Sequence, residues 1–89
     1  MNEEVTPMEL ADTVELMLSD NPIDRLSAEI HQVGIRHRKL CEYIDKLQES
    51  SETVDPLLGL QLKAMEMYGQ ILIERIVKIT GQPWQAFCA

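Results

Sequence analysis

The sequence predicts an all-α protein, a short amino-terminal helix followed by a long antiparallel helical hairpin, assembled as a homo-oligomer. Three observations lead there. A good capping residue precedes proline three times, at Thr6-Pro7, Asn21-Pro22 and Asp55-Pro56. Each pair places a side-chain acceptor before a residue whose fixed φ suits the first helical position. Two long stretches then carry apolar residues in a 4-3 alternation, and no stretch shows the period-2 alternation of a half-buried strand. Finally, at 89 residues the chain lies near the lower size limit for a self-sufficient core, which favours burying further apolar surface between copies.

Taken in order, helix 1 is expected at about 7–19, with Thr6 and Glu9 at capping-box spacing. Its apolar residues are Met8, Leu10, Ala11, Val14, Met17 and Leu18. Helix 2 is expected at about 22–49, with Leu26, Ile30, Val33, Leu40, Ile44 and Leu47 on one face and His37 filling the gap. Ser50 to Val54 forms the turn. Helix 3, at about 56–80, repeats the pattern with Leu58, Leu62, Met65, Leu72, Ile76 and Ile79, Gly69 filling its gap. Gly81 ends it, Pro83 prevents resumption, and the rest is a short tail. Residues 1–89 thus form one helical domain.

Folding the hairpin about its turn gives coiled-coil-like packing. The expected pairs are Leu47 with Leu58, Ile44 with Leu62, Leu40 with Met65, Val33 with Leu72 and Ile30 with Ile76. His37 then faces Gly69. Leu57, Leu60, Ala64, Met67, Ile71, Ile73 and Val77 fall off this seam. Helix 1 is expected to cover some of them, and a second copy the remainder.

The charge is uneven. The formal net charge is −7, and residues 1–24 hold seven acids without a Lys or Arg, while the remainder carries eight charges of each sign. This argues against duplex DNA or RNA, which needs a broad basic face. A small anion needs only two or three converging cations. Positive charge concentrates in "VGIRHRKL", residues 33–40, where Arg36, Arg38 and Lys39 fan out around helix 2. Their ordinary fate is a solvated face, with Lys39 paired to Glu42 or Tyr43 and Arg38 to Glu42. Their functional reading is an anion pocket in which arginine forks a phosphate. Arg75, isolated in "ILIERIVKI", is the more suspicious cation, with Glu74 beside it and Lys78 at i+3 keeping a solvated face open for it too.

Nothing in the sequence supports an enzyme. A Cys41–His37 pair shows no oxyanion device or orienting acid, so no catalytic residue is expected. His31 and His37 lie on different helix faces, and Cys41 and Cys88 lack CxxC spacing. No metal site and no cofactor follow, and the two thiols read as free. With no membrane-length apolar run and an acidic amino terminus, the expected location is the cytoplasm, with no membrane partner.

The hairpin resembles small phage-encoded proteins related to a crAss-like phage product. The resemblance rests on Met17-Leu18-Ser19, Arg25, Ala28-Glu29, Gln32, Ile35-Arg36, Lys39-Leu40, Ile44 and Lys46. After the turn it continues through Pro56-Leu57, Gln61, Ala64-Met65, Tyr68, Leu72 and Arg75. It is similar also to the phage anti-CBASS sponges through "IDKLQ" late in helix 2, "VD" before helix 3, Gly69 six residues before Arg75, and "QP" followed by Phe87. That resemblance implies a helical hexamer in the host cytoplasm. It would sequester a cyclic oligonucleotide, a di- or trinucleotide, in inter-subunit pockets without catalysis. Arg75 would belong to a cyclic trinucleotide site, with Arg36 and Lys39 as nearby cations. A different expectation is an acidic protein-binding module, with residues 1–24 contacting a host protein.

Overall fold

The structure is a computed structural model, and it describes residues 8–87. The described residues form helices and connecting turns, with no strand among them. A 3-10 turn at Leu10–Thr13 runs into a one-turn helix α1 at Val14–Met17. The two long helices are α2 at Pro22–Glu49 and α3 at Pro56–Thr80, and a 3-10 turn at Trp84–Phe87 closes the tail.

The long helices begin where the caps lie. The Asn21 carboxamide oxygen accepts from the Ile23 amide at 2.9 Å, and the Asp55 carboxylate accepts from the Leu57 amide at 2.9 Å. Each satisfies one of the amides that a helix start leaves without an intrahelical partner. α3 ends on Gly81 in the left-handed region at φ 69°, its amide bonded to the Val77 carbonyl. α2 ends differently. Ser51 takes the left-handed conformation at φ 58°. The Glu52 amide reaches back to the Leu47 carbonyl and the Ser51 amide to Gln48. This is a Schellman closure with serine where glycine is usual.

The core is small and lies at one end of the hairpin. Leu26 and Ile30 of α2 meet Leu72 and Ile76 of α3, with Ile23, Val33, Ile73, Trp84 and Phe87 packed around them. Trp84 and Phe87 fold back over this end, their ring centroids 6.1 Å apart, and Trp84 tilts onto His31 at 5.0 Å. Towards the turn the seam residues Leu40, Ile44, Leu47, Leu58 and Leu62 are half-buried.

Three expectations change. Helix 1 does not run over 7–19: its helical turns start at Leu10, capped by Glu9, whose carboxylate and that of Asp12 each accept from the other's backbone in a reciprocal box. Thr6 and Pro7 lie outside the described residues. Nor does helix 1 cover α3. The segment packs along α2, opposite the seam, where Ala28 and Ile35 are buried. Thr13, not an apolar residue, is its fully buried side chain, and the Gln32 amide donates to the Thr13 hydroxyl at 3.0 Å. Its hydroxyl also donates to the Leu10 carbonyl at 2.6 Å, so no polar atom is stranded. The expected His37–Gly69 pair, finally, is not formed. Gly69 lies against Val33, since a Cβ there would sit 3.6 Å from Val33 Cγ1. His37 turns to Glu66 at 3.0 Å instead of closing over Gly69.

Candidate anion-binding site

Where the first turns of α2 meet the last turns of α3, the hairpin edge opens into a polar depression of about 270 Å³. Pro22, Arg25, Leu26 and Glu29 line it from α2, and Arg75 from α3. The spacing explains the grouping. Residues 22, 25, 26 and 29 form one edge of a helix, beside the Leu26–Ile30 stripe that faces α3. Arg75 immediately precedes the fully buried Ile76, so packing of Ile76 fixes the start of its stem.

The guanidiniums are held differently. Arg25 Nη1 donates to the Ser19 carbonyl at 2.8 Å, which anchors it to the α1–α2 turn and leaves further N–H groups for the depression. That turn is itself tied down, the Ser19 hydroxyl donating to Asp24 at 2.7 Å. Among the described residues neither Arg25, Arg75 nor Arg36 has a carboxylate within 4.0 Å. Glu29 lines the same depression and offsets part of the positive charge. Its carboxylate, interacting with the Tyr68 hydroxyl, raises the Tyr68 pKa above its ordinary value, while Arg75 pulls it down by a smaller amount. Two arginines with an apolar wall of Pro22 and Leu26 suit a phosphate carrying a flat, weakly polar group.

Of the four cations singled out in the sequence, Arg75 lines this depression and the other three do not. Arg36 is exposed on the same face of α2 as Arg25, eleven residues and roughly 16 Å further along the axis. Lys39 Nζ pairs with Glu9 at 2.9 Å instead of with Glu42 or Tyr43. Arg38 contacts Glu9 at 3.3 Å and Glu42 at 3.8 Å. Lys39, followed by Arg38, holds the Glu9 carboxyl below its ordinary pKa. These two cations fasten the amino-terminal segment to α2. Arg25 was not singled out from sequence as a site residue. Its signal was available, since hairpin register sets the first turn of α2 against the last of α3.

A second, apolar groove of about 200 Å³ lies along the hairpin, lined by Ile30, Val33, Gly34, His37, Met65, Glu66, Gly69 and Ile73. Gly34 and Gly69 open it by lacking side chains. His37 bridges two partners at its end, Nε2 to Glu66 at 3.0 Å and Nδ1 to Cys41 Sγ at 3.8 Å. Glu66 is the acid that was not visible in the sequence next to the Cys41–His37 pair. Because the two partners sit on different ring nitrogens, the three side chains do not converge on one point, and no cluster of three metal-ligating side chains occurs among the described residues. No described helix is long and apolar enough to cross a membrane.

Searches of curated proteins and of solved structures give no match. A family match is found for residues 20–78, which span both long helices, the depression with Arg25 and Arg75, and the apolar groove: the chain belongs to the Sequestin family.

Proposed function

We propose that the protein is a phage or prophage counter-defence protein that sequesters cyclic oligonucleotide immune signals without catalysis. The family name denotes sequestration. The observation that carries the reading is the depression between α2 and α3, with Arg25 and Arg75 both free of carboxylate partners among the described residues. In this reading Arg75 and Arg25 fork a phosphate, and the Pro22–Leu26 wall supports a base. Arg36 supplies charge further along the same face. Arg38 and Lys39, paired with Glu9 and about 20 Å along α2 from Arg25, contribute positive charge at longer range. The chain works as a homo-oligomer in the host cytoplasm, with the depression at a subunit junction, and it needs no metal or cofactor. A sequestering site has no reacting centre to assemble, and tight binding with slow release is its whole task.

Calorimetric titration with a panel of cyclic di- and trinucleotides tests this. Binding by the wild type, weakened at least tenfold in Arg75→Ala and in Arg25→Ala, is the expected result. Each arginine–phosphate fork is a charge-assisted contact of about 1.5–3 kcal/mol. The affinity should fall as salt rises. No heat from any member of the panel overturns the proposal.

A further inference from the structure

Among the described residues, one surface of α3 is used neither by the hairpin nor by the segment from residue 8 to residue 18. Leu57, Leu60, Ala64, Met67, Ile71, Glu74 and Lys78 recur at alternating spacings of three and four, a heptad stripe three repeats long. It lies on the side of α3 opposite the row Leu62, Gly69, Ile76 that faces α2, and it is bare. Leu57 is 67%, Leu60 61%, Met67 68% and Ile71 47% exposed. A heptad stripe on a helix already packed on its other side has the form of a second coiled-coil seam. From Leu57 to Lys78 it spans about 31 Å.

We infer that this stripe pairs with the same stripe of a second copy, antiparallel, about a two-fold axis between Ala64 and Met67. The sequence of the stripe favours that occupant and that direction. In a parallel pair Glu74 would face Glu74 and Lys78 would face Lys78, and Ala64 would face Ala64 across a gap. In the antiparallel pair Met67 of each copy fills the space over Ala64 of the other, large against small, on both sides of the axis. Leu60 meets Ile71. Glu74 comes over the amino-terminal turn of the other α3, where the positive end of the helix dipole favours a carboxylate. Lys78 reaches the turn carrying Glu52. The stripe is therefore complementary to its own reverse, in apolar size and in charge, which is what an isologous interface requires.

Tyr68 and Arg75 occupy the flank next to this stripe, so the second copy's α3 runs beside the Arg25–Arg75 depression and forms a wall of it. The pairing does not rest on the ligand reading, and the two fail separately: Arg75→Ala should weaken nucleotide binding and leave the assembly mass unchanged.

The experiment is a solution mass measurement of the full chain by light scattering or sedimentation. The wild type should have twice the 10.2 kDa chain mass, or an even multiple of it. Leu60→Glu/Met67→Glu, which alters exposed side chains, should halve the mass with the helical circular dichroism kept. A monomeric wild type at tens of micromolar, or a double variant that keeps the wild-type mass, overturns the pairing. Should the double variant lose its helical signal, a spin label decides on an intact stripe. With Lys78→Cys labelled in a Cys41→Ser/Cys88→Ser background, the antiparallel pair gives roughly 35–40 Å between labelled sites from the rise per residue. A separation near about 10 Å, the spacing of parallel neighbours, or no inter-label coupling overturns it.

Discussion

Ser51 holds a left-handed conformation that an L side chain enters at a cost of about 1–2 kcal/mol, and it does so to close α2. Glycine pays no such steric cost. Ser51→Gly should therefore raise stability by about 0.5–1 kcal/mol net of the greater freedom of the unfolded chain, or a Tm rise of about 2–8 °C for a domain of this size. Thermal melts of the two proteins at equal concentration check it, and an unchanged or lower Tm refutes it. His31 is the second residue with a readable consequence. Burial beneath Trp84 lowers its pKa below the ordinary histidine value. The folded state thus favours neutral imidazole. That contribution is full above the unfolded pKa of about 6.5 and is lost as pH falls through the depressed folded value. Tm should fall between pH 7 and pH 5, and His31→Phe, which keeps an aromatic ring beside Trp84 without a titrating proton, should flatten that part of the profile. Glu9 acts lower on the scale: its depressed pKa gives stability above the ordinary carboxylate value that disappears as acid protonates it.

At the scale of elements, the Asn21 and Asp55 caps each satisfy an amide that would otherwise lack a partner. Asp55→Ala should cost about 1 kcal/mol and fray the first turn of α3, read as a lower urea midpoint with unchanged m. The long helices were legible in the sequence for this reason: cap, proline and apolar period all agree over the same residues. Gly81 was legible in the same way, because a left-handed closing position and a following proline state the end of a helix chemically. Helix 1 was not. Its apolar residues are scattered over a segment that buries Thr13, and its start is decided by the Glu9–Asp12 box and by ion pairs to residues 29 and 30 positions away. Contacts that distant leave no periodic trace. The same distance hides Glu9 as the partner of Lys39. If Glu9 is what fastens the segment, Glu9→Gln should speed amide exchange in Leu10–Met17 and leave α2 and α3 protected. Equal exchange in both proteins would show that Gln32 and Thr13 hold the segment alone.

The molecule as a whole is open and flattened. Its radius of gyration is 15.5 Å, with extents of 45 × 38 × 22 Å, whereas a compact domain of this length has about 12 Å. Among the described residues six apolar side chains are buried, gathered mainly at one end, and none covers the outer face of α3. A core that small leaves the turn end of the hairpin weakly held, and pairing along the Leu57–Lys78 stripe would brace it throughout its length. Stability then depends on how much protein is present. Each tenfold rise in concentration favours a folded dimer over unfolded chains by about 1.4 kcal/mol, so a hundredfold rise contributes about 2.7 kcal/mol. With twice the chain length unfolding together, that corresponds to a Tm increase of about 5–10 °C between low and high micromolar protein. Leu60→Glu/Met67→Glu should melt lower and at a temperature independent of concentration, because its folding no longer involves a second molecule. Calorimetric scans of both proteins over that range check the point. A wild-type Tm that stays constant would mean that the hairpin, thin as its core is, folds and melts alone.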